Sequence, residues 1–280
     1  MRIVLAAALT ALILAGCGGG PSTGEGGSQQ AHVDALMEAS GLNRQLAQIP
    51  DRMRTQFLQQ KGALPEKAQE RAAEILGNAF EAQSLHKLAR EEIGVNYNAA
   101  HAVAVLDFLN TPLGKKVTEM EVHHGTPAGQ EEYVKFKDML STNKPSEARM
   151  NLVGEFNEAA RLSEQGLEMV ISMVMAMISG MAEFAPREKQ PSEEQIKAVE
   201  DRLRKQFTTM IIAETMTSLL HTYKELPDAE FKQMIDFYKT DAGKWFTGVV
   251  FGAFQRAMTG AGLQFSREMQ TLAREVARPT

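Results

Sequence analysis

Met169, Met173, Met177 and Met181 recur every four residues, with Met175 off their line. Clustered thioethers are soft ligands of the kind that hold Cu(I), so this stripe is the first candidate for chemistry. The same spacing marks one face of a buried helix, where methionine fills irregular gaps. Between residues 169 and 182 there is no charge, and no His or Cys stands nearby to complete a ligand set. A central core helix is the expectation, with a metal or an apolar ligand as the alternative.

Glu121-Val122-His123-His124 is a second candidate. Adjacent helix residues point about 100° apart, so the two imidazoles do not readily face one ion. Near a helix C-terminus, histidines complement the dipole and are expected to meet solvent. His86, His101 and His221 are scattered through other helical patterns, with no His-Glu-x-x-His to join them. The chain has no Gly-x-Ser-x-Gly and no phosphate-cradling glycine loop. Glu91-Glu92 and Glu193-Glu194 read as solvated helix surface or first-turn acids. No catalytic residue, metal or cofactor is expected. The net charge of −5 disfavours a nucleic-acid partner.

A Gly-Lys pair closes each of two matching stretches, Phe108-Leu109-Asn110-Thr111-Pro112-Leu113-Gly114-Lys115 and Phe237-Tyr238-Lys239-Thr240-Asp241-Ala242-Gly243-Lys244. They lie 129 positions apart (237 − 108). Their logic is that of a helix corner, not of a reaction. Thr111 and Thr240 suit the N-cap, and Pro112 suits the first helical position. Asp241 in Pro112's place suits the positive end of the helix dipole. Gly114 and Gly243 fall in the first turn, where close approach to another helix is the expected reason for glycine. Weaker matches place Leu36 with Phe156, Pro65 with Pro191 and Phe80 with Phe207, at offsets growing from 120 to 127. Two diverged copies are expected, residues 31–125 and 148–280, joined by 126–147.

Helices must position all of these groups. Strand-forming residues are sparse, and Ala, Leu, Met, Glu, Gln and Lys are plentiful. An all-α bundle of two repeats around the Met-rich helix is therefore the predicted fold. Apolar spacing predicts a helix from Ala31 to Ile49, ended or kinked by Pro50 and resumed to Gln60. Another follows Pro65 and stops near Gly94, and Asn96 or Asn98 caps the next. Thr126-Pro127 opens a short helix to Leu140, and residues 141–145 form a linker. A long helix is predicted from Ser146 to Phe184, ended by Pro186. Pro191-Ser192 opens another, Leu226-Pro227-Asp228 caps the next over 229–239, and Thr240 opens the last, with a weak point at Gly260-Ala261-Gly262. Along that last helix Phe246, Phe251, Phe254 and Phe265 accompany Gly248 and Gly252, a spacing that predicts tight helix packing or a groove for a lipid tail or partner helix.

The N-terminus carries a different signal. Arg2 precedes an apolar run from Ile3 to Leu14, the pattern of a secretory signal and too short for a bilayer span of about 20 residues. Leu14-Ala15-Gly16-Cys17 resembles the bacterial lipobox, and Cys17 is the chain's one cysteine. The resemblance implies removal of residues 1–16, a diacylglyceryl group on the Cys17 sulfur and an acyl chain such as palmitate on its amine. Gly18 after the cysteine, where an Asp commonly retains such proteins in the inner membrane, implies the outer membrane, facing the periplasm. Residues 17–30 then form an acylated, Gly/Ser-rich tether.

Pro227-Asp228-Ala229-Glu230-Phe231, followed by Phe237-Tyr238-Lys239-Thr240-Asp241-Ala242-Gly243, resembles the bacterial exported "domain of unknown function 2059" family over residues 190–260. The first copy keeps Phe108, Thr111 and Gly114 but has Leu109 for the tyrosine. The resemblance implies a helical fold and an exported setting, and it carries over no catalytic residue. The expected function is a non-enzymatic structural or binding role in the envelope, with an envelope protein or an apolar ligand as partner. A carrier or chaperone-like module holding a lipid or other apolar ligand between helices is the alternative.

Overall fold

In a computed structural model that describes residues 29–59, 66–182 and 190–276, the chain is an all-α bundle, with no strand among the described residues. Its first half runs α1 (Gln29–Ala39), α2 (Leu42–Gln59), α3 (Glu66–Ala79), α4 (Ala82–Val95), α5 (Ala99–Leu109) and α6 (Pro112–Gly125). After α7 (Pro127–Leu140) come α8 (Glu147–Ala159), α9 (Leu162–Ala182), α10 (Glu193–Thr222), α11 (Asp228–Lys239) and α12 (Asp241–Val276). Cys17, Pro65, Phe184 and Pro186 lie outside the described residues, as do the side chains of Met177 and Met181. No helix of the described residues is long and apolar enough to cross a membrane.

Several predicted boundaries move, each for a local reason. The first helix begins at Gln29, inside the predicted tether, and breaks at Gly41 rather than at Pro50. Gly41 has φ +58°, and its N–H bonds the Glu38 carbonyl, so the chain leaves α1 by a left-handed turn that glycine adopts without a Cβ clash. Pro50 sits inside α2, which continues past it. The helix predicted from 146 to 184 breaks likewise at Arg161, with φ +53° and an N–H bonded to the Glu158 carbonyl. The helix predicted to run from Pro65 to Gly94 is interrupted at Phe80-Glu81. Asn98, not Asn96, caps α5 by accepting from the His101 N–H at 3.0 Å. Ser192 opens α10 with a capping box, its side chain and that of Gln195 each bonding the other's backbone N–H. At the start of α11, Pro227 makes no side-chain cap, and Asp228 pairs instead with Arg149 at 2.7 Å.

The helices bury apolar stripes into one main core. α1 contributes Val33, Leu36 and Met37, at the i, i+3, i+4 spacing of an inward face. The most extensive helix contact is between α4, which buries Leu85, Ala89 and Ile93, and α12, which buries Ala253, Ala257 and Ala261. α12 is continuous through Gly260-Ala261-Gly262, where a weak point was expected. A Cβ at Gly260 would lie 2.6 Å from Leu88 Cδ1, so glycine there permits the close approach of α4. Gly252 faces the Glu92 side chain, whereas Gly248 is exposed. α12 thus holds the central place predicted for the Met-rich helix. In α9 the buried residues cluster early, at Leu162, Met169, Val170 and Ile171, while Met173 and Met175 are half-buried. Val170 and Ile211 form a small second cluster with α10.

Candidate functional site

Each twin stretch builds the same corner. The Thr111 hydroxyl donates to the Phe108 carbonyl at 2.7 Å and accepts from the Gly114 N–H at 2.9 Å. Thr240 does the same with Phe237 and Gly243 at 2.7 and 3.0 Å. A Cβ on Gly114 or Gly243 would collide with the carbonyl of Phe108 or Phe237, so the close neighbour is the end of the preceding helix, not a distant one. Thr118 and Thr247, one turn on, are both buried and donate to the carbonyls of Gly114 and Gly243. Thr126, Pro127 and Gly129 build a third such corner between α6 and α7.

The twin corners meet face to face. The Phe108 and Phe237 rings stack with centroids 3.8 Å apart and planes 4° apart. α5 packs on α12 while α6 packs on α11, so contacts come in matched pairs. Lys116 Nζ lies 2.6 Å from Glu230 Oε2. Shifting each by 129 positions gives Trp245 and His101, whose rings lie 5.7 Å apart. Beside Lys116 and Glu230 a groove of about 610 Å³ opens, walled by Phe108, Thr111, Pro112 and Leu113 and edged by Gln233.

A buried polar cluster lies where α2, α6, α7 and α10 converge. His124 and His221, each 2% exposed, bring their Nδ1 atoms within 3.1 Å. Ser218 Oγ lies 2.9 Å from His124 Nε2, and His221 Nε2 faces Glu132 Oε2 at 3.9 Å. A carboxylate opposite Nε2 favours a proton there, which leaves His221 Nδ1 to accept from His124 Nδ1–H. His124 Nε2 then accepts the Ser218 hydroxyl. Burial lowers the pKa of His124 to about 3, helped by His221, Arg52 and His123. Burial lowers that of His221 to about 4, with Lys224 adding to the effect and Glu132 opposing it. Both rings are neutral near pH 7.

Beside them Glu121 is buried and accepts from the Tyr223 hydroxyl at 2.6 Å. Burial raises its pKa to about 8, against the opposing effect of that bond, so it is an uncharged acid at neutral pH. Tyr223 is pushed well above its usual value, by burial first and by the adjacent carboxyl next. Glu121 Oε2, Gln48 Oε1, Arg52 Nη1, His221 Nε2 and Thr222 Oγ1 are buried without a protein hydrogen-bond partner. Arg149 braces the turn after α10 by donating to the Tyr223 and Leu226 carbonyls, the first of which also accepts the Leu226 N–H.

Ser218 with His124 has the form of an activated nucleophile and its base. Yet Ser218 is 1% exposed and lies inside α10, whose surrounding N–H groups are engaged in the helix and not aimed at an oxyanion. The expectation that both His123 and His124 meet solvent holds for His123 alone, which pairs with Glu132 at 3.2 Å. His221, expected to be isolated, joins His124 across 97 residues. Thr118, Thr247 and Ser218 were not singled out in the sequence, although the two threonines sit at matching places seven residues after their capping threonines. Of the two methionines of the stripe whose side chains are described, Met169 is buried and Met173 half-buried, and among the described residues no group of three His, Cys, Asp or Glu is placed to hold a metal ion. Comparison with models of known protein families, with curated proteins and with solved structures gives no match for this chain.

Proposed function

We propose that the chain is a lipid-anchored envelope protein at the periplasmic face of the outer membrane, with a non-enzymatic binding or structural role. The observation that carries this reading is Leu14-Ala15-Gly16-Cys17, which puts the chain's one cysteine at the acylation position, followed by a Gly/Ser-rich stretch. Two or more acyl chains give stable attachment where one does not, at about 0.8 kcal/mol per buried methylene. The seclusion of Ser218, buried within α10, favours a binding body over an enzyme. We read that body as two diverged copies, residues 31–125 and 148–280. The matched corners, the left-handed turns at Gly41 and Arg161 and the stacked Phe108 and Phe237 support this. Its likeness to the exported "domain of unknown function 2059" family rests on residues 227–243. A carrier holding an apolar ligand between the copies has less support, because the Phe108–Phe237 stack fills the space between the corners and the groove there is open.

The anchor is tested by Cys17→Ser. Membrane fractionation should move the variant into the soluble pool, with loss of radiolabelled palmitate from the purified protein. Unchanged fractionation would overturn the lipoprotein reading.

A further inference from the structure

We propose that α7 is an acid-sensitive flap, closed over the His124–His221 pair at neutral pH and released when the pair takes up a proton. The proposal stands on the geometry of the helical body and needs neither the anchor nor the binding role above. Of the helices around the pair, α7 is the least committed to the core. It packs on α6 and α10, whereas α6 also meets α2, α5 and α11, and α10 also meets α8 and α9. Along its length α7 buries only Gly129 and Tyr133, and it turns Val134 and Met139 to solvent. It ends in the exposed residues 141–144, and the Thr126 corner at its start provides the pivot. Elements with few buried apolar contacts are the first to open locally.

What holds α7 down is contact with the pair itself. The Tyr133 ring lies 5.3 Å from His124 and 5.5 Å from His221, and Phe136 lies 5.3 Å from His221. Tyr133 donates to Glu214 at 2.7 Å, Lys137 pairs with the same carboxylate, and Gln130 donates to the His124 carbonyl. Closure needs two neutral rings. With the Nδ1 atoms 3.1 Å apart, one must accept from the other, so a proton added to His221 Nδ1 sets N–H against N–H. A proton added to His124 Nε2 ends its acceptance from Ser218. The titratable and charged groups facing the pair are Arg52 from α2, His123 from α6, Glu132 and Tyr133 from α7, and Lys224 just past α10. Glu121, one turn back on α6, is uncharged and engaged by Tyr223. Burial first, then His221 and Arg52 at His124 and Lys224 at His221, keep both rings uncharged below the usual imidazole range, with Glu132 opposing at His221. Opening α7 wets both rings and restores their ordinary affinity for protons. Below about pH 6.5, acid therefore favours the open form by about tenfold per pH unit for each histidine, until the closed form also takes up the proton.

The test is hydrogen exchange read by peptide mass spectrometry on the full-length chain in detergent micelles, at pH 7 and pH 5, corrected for the pH dependence of intrinsic exchange. Protection of residues 128–140 should fall about a hundredfold or more on going to pH 5, while α4 and α12 keep theirs within about tenfold. His221→Phe keeps a ring between Tyr133 and Phe136 and leaves one histidine, so the fall in α7 should shrink to about twentyfold or less. His124→Asn makes the same comparison if that variant folds poorly. Unchanged protection of α7, a loss that α4 and α12 match, or an undiminished pH effect in a folded variant overturns the proposal. Cys17→Ser should show the same exchange pattern, so failure of the flap and failure of the anchor are separable.

Discussion

Glu121 is a carboxyl held neutral by its surroundings, with one hydrogen bond from Tyr223 on Oε1 and no partner on Oε2. Burial raises its folded pKa to about 8 from the ordinary 4.5. The stabilisation this represents is full below pH 4.5 and is lost as pH rises through about 8. Glu121→Gln keeps the acceptor for Tyr223 and removes the titration. It should match the parent at pH 5 and exceed it at pH 9 by on the order of a few kcal/mol in urea unfolding. Equal midpoints at pH 9 would mean that water reaches the carboxylate. The histidine pair has the opposite sign. Depressed pKa values of about 3 and about 4 contribute stability above pH 6.5 that is lost as pH falls through those values. Imidazole 15N shifts should therefore report neutral His124 and His221 at pH 5, sharing one Nδ1 proton. Titration of either near pH 6.5 would refute their enclosure.

Turns decide where one helix gives way to the next, and two of them make a paired experiment. Arg161 occupies a left-handed conformation without glycine's freedom. Arg161→Gly should stabilise the fold by about 1 kcal/mol, since the lost exposed pair with Glu164 is worth little. At Gly41 a Cβ would stand 2.7 Å from Val122 Cγ2 in an equally unfavourable φ, so Gly41→Ala should destabilise by more than about 2 kcal/mol. Thermal unfolding of the two variants checks both signs. The caps at Thr111, Thr126 and Ser192 were legible in the sequence, because a hydroxyl followed by Pro or Glu satisfies backbone donors locally. The break at Gly41 was legible in principle as Ser40-Gly41, but the apolar spacing continues through it. The break at Arg161 was not, since nothing in Ala160-Arg161-Leu162 marks a positive φ. At Pro50 the rule that proline ends a helix gave way to the apolar stripe, and α2 runs on.

For the whole molecule, α12 makes the two halves one cooperative unit, because it packs on α3, α4 and α5 as well as on α9 and α11. Trp245, on α12, touches Asn96 and His101 of the first half, so its fluorescence reports on the contact between halves. Urea transitions followed by this fluorescence and by far-ultraviolet circular dichroism should coincide. Two separated transitions would show that the halves unfold independently. Fold class and the twin corners could be read from periodicity and capping, both local properties. The histidine pair and the place of α12 could not, because each depends on which distant helices meet. An alanine-lined face reads the same whether it packs centrally or at an edge.

The pairing of α4 with α12 also bears on how the chain becomes folded. α4 ends at Val95 and α12 begins at Asp241, so the largest helix interface waits for 146 residues (241 − 95) to be delivered. Contacts this distant in sequence form late, after the entropy of closing the intervening loop has been met. For a chain exported as proposed above, α4 can meet α1 and α2 early, but its largest interface stays open until the final helix arrives. In that case the core closes fully only once α12 has emerged.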